Sequence, residues 1–225
     1  MTLPKLYAIA DRSCFADSES LYAFVKELLA AGVTLIQYRN KEGSGRQMLQ
    51  EARELRRIVS PTLATPATSG HSPTLAKEAR VGHPIGLIMN DRADLALAAG
   101  FDGVHVGQND LSPEAVRSII GPHMWLGVST HNPEQIAAAD KTDSDYLAIG
   151  PVFATSSKEN TDPVIGLEGV RRARELTRKP LVAIGGITCE RASEVIAAGV
   201  DSVAVISALL RETRNSAEDI LRRLA

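Results

Sequence analysis

The sequence predicts an α/β protein folded as a single (β/α)8 TIM barrel. Three observations carry that prediction. Eight short runs rich in β-branched residues recur along the chain: LYAIAD (6–11), VTLIQYR (33–39), PIGLIMN (84–90), GVHVG (103–107), MWLGVS (124–129), DYLAIG (145–150), PLVAIGG (180–186) and SVAVIS (202–207). Most are continuously apolar, as expected of parallel strands covered on both faces. Helical patterns fill the gaps between them, and eight such units in 225 residues sit somewhat below the ~250 typical of a barrel. An open doubly wound sheet is the competing arrangement, but no G-x-G-x-x-G follows the first strand.

The helices announce themselves in order. Leu21, Phe24, Val25, Leu28 and Leu29 form one apolar stripe over 21–29. Met48, Leu49, Ala52, Leu55 and Ile58 do the same over 46–59. Ser112-Pro113-Glu114 and Asn132-Pro133-Glu134 each offer an N-cap followed by proline at the first helical position. Ala197-Ala198-Gly199 reads as a helix running out at a glycine.

One segment interrupts the rhythm. Residues 60–84, SPTLATPATSGHSPTLAKEARVGHP, are crowded with Pro, Thr and Ser, with a helical turn conceivable only at 74–80. Lying between a helix and the next strand, they read as a surface insertion on the barrel face opposite the active site, within one domain spanning 1–225.

Composition narrows the function classes. A net charge of −2 gives no polybasic face, so neither nucleic acid nor an acidic membrane is implied as partner. No apolar stretch approaches the ~18 residues that span a bilayer. The opening MTLPKLYAIADRS has no charged region leading into a long apolar one, so a signal peptide is not expected. Cys14 and Cys189 are too few for a disulfide framework and too isolated for a zinc site. Free thiols in the cytoplasm are the expectation. Oligomeric state has no signature.

In a barrel the chemistry gathers just past the strand ends. Those positions hold Gln37, Arg39, Asn40 and Lys41; Asn90 and Asp91; Gln108 and Asp110; Ser129 and Thr130; Thr155, Ser157 and Lys158; Gly185 and Gly186; and Ser207. Neighbouring parallel strands lie ~4.8 Å apart. Asp91 and Asp110, leaving adjacent strands, can therefore converge on one ion. Each has a bland alternative: Asp91 as the cap of RADLALAAG, Asp110 as part of the helix entrance at Ser112. Together, facing Arg39, Lys41 and Lys158, they suggest a hard cation such as Mg²⁺ beside a polyphosphate. Gly185-Gly186 and Ser207 stand where barrels of this class bind phosphate, although the glycines could equally serve a tight turn. His105, inside a strand, reads as a hydrogen-bonded interior residue, and His131 as part of a helix entrance. Trp125 reads as core, and RRARELTRK as a solvated helix face.

The motifs QYRNK (37–41), NDRADLALA (90–98), DGVHVGQND (102–110), GVSTHN (127–132), GPVFATSSK (150–158), AIGGI (183–187) and VISA (205–208) stand in order at successive strand ends. With them the chain resembles the thiamine-phosphate synthase (thiamin phosphate pyrophosphorylase) family, nearly throughout except the 60–84 segment. The resemblance implies a Mg²⁺-dependent transferase that joins a hydroxymethylpyrimidine diphosphate to a thiazole phosphate, giving thiamine phosphate and pyrophosphate. Carried over by position, Gln37, Arg39 and Lys41, with Tyr38 and Asn40 between them, and Asn90, Ser129 and Lys158 hold the pyrimidine diphosphate. Asp91 and Asp110 bind Mg²⁺. Thr155, Ser156, Ser157, Gly186, Ile206 and Ser207 hold the thiazole phosphate. Arg39, Lys41, Lys158 and Ser129 are the catalytic candidates. Asn40 and Asn109 stand where acidic residues are common in the family, and Ser157 where Thr is frequent; none of these removes an essential charge. Three rivals share the fold: a thiazole tautomerase, which tends to carry a histidine where this chain has Pro151; a barrel that binds a thiamine precursor without turnover; and a phosphosugar isomerase or aldolase barrel, which would want a Lys or Glu general base at a strand end that is not evident here.

Overall fold

The computed structural model describes residues 2–60, 85–155 and 162–225. Eight parallel strands close into a barrel in chain order: β1 Leu6–Asp11, β2 Leu35–Arg39, β3 Gly86–Asn90, β4 Gly103–Val106, β5 Trp125–Thr130, β6 Tyr146–Ile149, β7 Leu181–Ile184 and β8 Ser202–Val205. The last strand pairs with the first, Tyr7 opposite Ala204, so no edge is left open. Eight helices among the described residues surround them: α1 Ser18–Ala30, α2 Gly45–Val59, α3 Ala93–Ala99, α4 Pro113–Ile120, α5 Pro133–Asp140, α6 Gly166–Leu176, α7 Ala192–Ala197 and α8 Thr213–Leu224. Every strand expected from the sequence is present: β1 spans the expected 6–11, β5 is shifted by one residue to end at Thr130, and the other six are shorter by one to three residues. The Pro/Thr-rich expectation falls on 61–84, outside the described residues. Among the described residues no helix is long and apolar enough to cross a membrane.

Strand parity sorts the side chains into two cores. Residues such as Leu6, Ala8, Ile36, Tyr38, Leu87 and Met89 point outward and pack beneath the helices. Tyr7, Ile9, Leu35, Ile88, Tyr146 and Val182 point inward and fill the barrel. This period of two decides which strand-end residues can reach the barrel mouth. On β2, Gln37 and Arg39 share the inward face with Leu35, and Tyr38 takes the other.

The helix starts behave as their sequences dictate. Ser112 accepts a hydrogen bond from Ala115 N–H and Asn132 from Gln135 N–H, each ahead of a proline in the first turn. Gly199 follows α7 with φ 113. The RRARELTRK run is only partly the solvated face it was expected to be. Arg174 clasps Asp201 at 3.0 Å and the Thr177 and Lys179 carbonyls at 2.6 and 2.8 Å. Lys179 donates to the carbonyls of Ala139 and Thr142 at the end of α5, where a cation suits the helix dipole.

Candidate active site

A cavity of about 340 Å³ opens at the carboxyl ends of the strands, within the range of small-molecule sites. Gln37, Arg39, Lys41, Asn90, Asp91, Asp110, Ser129, Thr155, Gly186, Ile206 and Ser207 all line it. Residues drawn from seven strand ends and scattered over 171 positions of sequence are thereby gathered into one space.

The acidic pair sits on one wall. Asp91 follows β3 with φ 60, the left-handed region that non-glycine residues seldom adopt. Its carboxylate does not cap α3: Arg92 occupies that position and supplies no side-chain cap bond. The strained turn instead sends Asp91 to the Lys41 ammonium, which also lies 4.0 Å from Asp110 Oδ1. Asp110 Oδ2 accepts the Gly107 N–H at 2.8 Å, and Ser112, not Asp110, caps the following helix. Neither carboxylate caps a helix, although Asp110 braces the turn that leads to Ser112. Burial, with the neighbouring Asp110, pushes the Asp91 carboxyl up despite Lys41. Burial alone would also raise Asp110, but a proton shared with Asp91, the Gly107 N–H and the nearby Lys41 hold it below its ordinary range. Among the described residues, this acidic pair shares one ammonium.

The basic residues are held from behind. Arg39 Nη1 donates to Asp11 Oδ2; Asp11 is buried at the end of β1, and its other oxygen accepts from Ser13 N–H and Oγ. On the same β2–α2 connection, Asn40 Oδ1 accepts from the N–H groups of Glu42 and Gly43. Its Nδ2 donates to Tyr38 Oη and Glu51. Two expectations need correcting here: Tyr38 and Asn40 do not line the cavity. Parity turns Tyr38 into the helix layer, where it is 1% exposed and donates to Glu51, and Asn40 is spent on the turn that carries Lys41.

The opposite wall is backbone-rich. Gly185 and Gly186 have φ 103 and 62. A Cβ on Gly185 would lie 2.6 Å from Pro151, and one on Gly186 2.5 Å from the Ala154 carbonyl. The segment after β6 is laced to this turn by Val152 N–H to Ile184 O and Phe153 N–H to Gly185 O. The glycines are thus required by packing as well as exposed to the cavity. Ser207 opens a 3-10 turn, Ser207–Leu209, directly after β8. Thr155 lies on the same side; Ser156, Ser157 and Lys158 fall outside the described residues.

At the floor, Asn90 Nδ2 is buried without a hydrogen-bond partner among the described residues, an omission that a bound polar ligand would repair. His105 is hydrogen-bonded, as expected, but it also lines the cavity, contacting Ser129 Oγ at 2.8 Å and Tyr146 Oη at 3.1 Å. His131 N–H is accepted by Gln135 at the start of α5, while its ring reaches the Gly150 carbonyl at 2.6 Å. Asp11, Tyr7 and Tyr146 were missed in the sequence. Asp11 had a signal, an acid at a strand end; the tyrosines, inside apolar runs, had none.

Fold and cavity define a (β/α)8-barrel enzyme whose polar groups gather around a charged small-molecule site. A family model described as Thiamine monophosphate synthase matches residues 6–66 and 74–209. A thiamine-phosphate synthase of Koribacter versatilis is 54% identical, covering 100% of this chain and 97% of that protein. One from Chloroflexus aurantiacus is 39% identical over 92% of this chain and 85% of its own length. The solved structure of thiamine phosphate pyrophosphorylase from Pyrococcus furiosus superposes with a TM-score of 0.78 at 34% identity, covering 98% of this chain and 95% of that one. The chain belongs to the thiamine monophosphate synthase family.

Proposed function

We infer that this protein is a transferase that condenses 4-amino-2-methyl-5-(diphosphooxymethyl)pyrimidine with a thiazole phosphate, releasing pyrophosphate and forming thiamine phosphate. The observation that carries the reading at the level of the site is the convergence of Asp91, Asp110 and Lys41 on one wall of a cavity whose far wall is a glycine turn flanked by hydroxyls.

The chemistry asks for two things. Pyrophosphate departs from a benzylic-type carbon of an electron-rich ring, leaving a cation-like pyrimidine that the thiazole nitrogen captures. Leaving-group charge must be stabilised, and the second ring must be held in line. Arg39, fixed by Asp11, and Lys41 supply positive charge to the diphosphate; by position in GPVFATSSK, Lys158 joins them. Gln37, Asn90 and Ser129 orient the pyrimidine, and the unpartnered Asn90 amide supports that role. Thr155, Gly186 and Ser207, with Ser156, Ser157 and Ile206 by position, hold the thiazole phosphate.

The donor set fits a hard divalent cation. Two carboxylates converge, and oxygen ligands of this kind suit Mg²⁺, which takes one or two carboxylates and completes its shell with substrate phosphates and water. Asp91 and Asp110 would hold Mg²⁺, which when bound neutralises leaving-group charge. A tautomerase, with no diphosphate to neutralise, would have no use for this pair.

We also propose one barrel domain with a surface insertion around 60–84. The family match breaks at 67–73, inside that segment, which supports the reading. Free Cys14 and Cys189 fit a cytoplasmic location.

The test is pyrophosphate release from purified protein given both substrates and Mg²⁺, with single omissions and a chelator arm. Release should require all three. Isomerisation of the thiazole phosphate alone, without pyrophosphate, would overturn the assignment.

A further inference from the structure

A continuous chain of buried hydrogen bonds runs through the barrel interior and ends at the cavity twice. Gln37 Nε2 contacts Tyr7 Oη at 2.8 Å, Tyr7 Oη contacts Tyr146 Oη at 3.0 Å, Tyr146 Oη contacts His105 Nδ1 at 3.1 Å, and His105 Nε2 contacts Ser129 Oγ at 2.8 Å. The members come from β2, β1, β6, β4 and β5. Tyr7 and Tyr146 are 1% and 0% exposed, and only the end residues and His105 meet the cavity beside Tyr7. The barrel makes room for the chain at Gly127, where a Cβ would collide with the Tyr146 ring and His105.

The protons on this chain are not independent. An amide nitrogen only donates, so Tyr7 Oη accepts from Gln37. With Tyr7 accepting from Gln37, the arrangement that uses each proton of the chain once has Tyr7 donating to Tyr146 and Tyr146 to His105 Nδ1. A neutral imidazole keeps its proton on Nε2 and donates to Ser129 Oγ. What remains for the cavity is the Gln37 carbonyl oxygen at one end and the Ser129 hydroxyl proton at the other. Flipping the amide reverses every bond together and exchanges the two characters. Phenol to imidazole is the stronger direction of donation, because the phenol is the better acid. Burial pushes both phenols well above their ordinary pKa, so both protons are in place.

We propose that Tyr7, Tyr146 and His105 are positioning residues that couple Gln37 to Ser129, so that the site presents one acceptor and one donor and selects an aminopyrimidine over its oxo counterpart. This rests on the reading that Gln37 and Ser129 hold the pyrimidine diphosphate. In the oxo analogue the exocyclic donor becomes a carbonyl acceptor and the adjacent ring nitrogen gains a proton, the reverse of what the chain offers. A buried polar site discriminates strongly against such a mismatch. None of the three residues needs to alter the ring chemistry to do this.

The experiment measures kcat/KM for the aminopyrimidine diphosphate and for its oxo analogue in wild type, Tyr7→Phe, Tyr146→Phe and the double variant, with melting temperatures alongside. Each single variant should lower the amino-to-oxo ratio by about tenfold, the worth of one net hydrogen bond. The loss should appear chiefly in KM for the pyrimidine, with KM for the thiazole phosphate unchanged. Cutting the chain twice should equal cutting it once, so the double variant should match the singles. A variant that fails to fold leaves the other to carry the comparison, and nitrogen NMR of wild-type His105 should report the Nε2–H tautomer. An active wild type whose ratio survives both substitutions, or whose two losses multiply, overturns the coupling alone. A wild type that releases no pyrophosphate overturns the proposed function, and the coupling with it.

Discussion

Two acidic centres lie on either side of the β2–α2 connection, and they are opposites. Behind it, Glu51 is 1% exposed and receives hydrogen bonds from Arg12 at 2.9 Å, Ser18 at 2.7 Å, Gln47 at 3.1 Å, Asn40 at 3.2 Å and Tyr38. In front of it, Asp91 and Asp110 share one ammonium among the described residues and face a cavity. A buried carboxylate surrounded by donors is finished; it holds a structure in place. A pair of carboxylates with less cation than it needs is unfinished, and invites a charged ligand. The end of β2 and the short connection after it carry Tyr38 and Asn40 into the first centre and Lys41 into the second. Satisfaction of hydrogen bonds, more than burial or charge, separates scaffold from site.

The comparison breaks most sharply at Asp91. Asparagine is isosteric and tolerates the left-handed backbone, so Asp91→Asn isolates the charge. Pyrophosphate release should fall by about 10²–10³-fold, with the melting temperature held or slightly raised as like-charge repulsion is relieved; steady-state assays and calorimetry check both. Glu51→Gln should behave in the reverse sense. Replacing one acceptor oxygen with an amide leaves buried donors unmatched, at about 2–3 kcal/mol, or about 5–10 °C in melting temperature for a chain of this size. Its activity at a temperature where it is folded should remain within about tenfold of wild type.

Acid sharpens the same contrast. Burial alone would raise the Glu51 carboxyl, but donation from Tyr38, Ser18, Arg12 and Gln47 outweighs it and holds the group below its ordinary value of 4.5. Its stabilising contribution is therefore fully present above that value and is lost as pH falls through the lower, folded one. The stability difference between wild type and Glu51→Gln should be constant from neutrality downward and narrow below 4.5 in denaturant titrations. The smallest effect belongs to Ser112→Ala, two residues past Asp110. Removing this cap should cost about 1 kcal/mol and leave turnover unchanged.

How much of this was legible in the sequence depends on the range of the interaction that decides each feature. The eight strands, the caps at Ser112 and Asn132, and the paired Asp91 and Asp110 are governed by neighbours within a few positions or by the regular spacing of strand ends. Tyr38 enters the expected site only as a member of the QYRNK motif that carries the resemblance. Its parity against Gln37 and Arg39 already places it outward. Glu51 carried a signal of its own, an acid on the buried stripe between Met48 and Leu55. The partners Tyr7 and Tyr146 are 139 residues apart, and nothing local marks either phenol as part of a pair. Only closure of the barrel brings them together.

Asp110→Asn tests the contrast most directly, because asparagine can keep the Gly107 hydrogen bond and lose only the charge. Measured side by side, pyrophosphate release should drop by about 10²-fold or more while the melting curve stays where it was. Near-normal turnover with a lowered melting temperature would mean that this carboxylate, like Glu51, serves the scaffold.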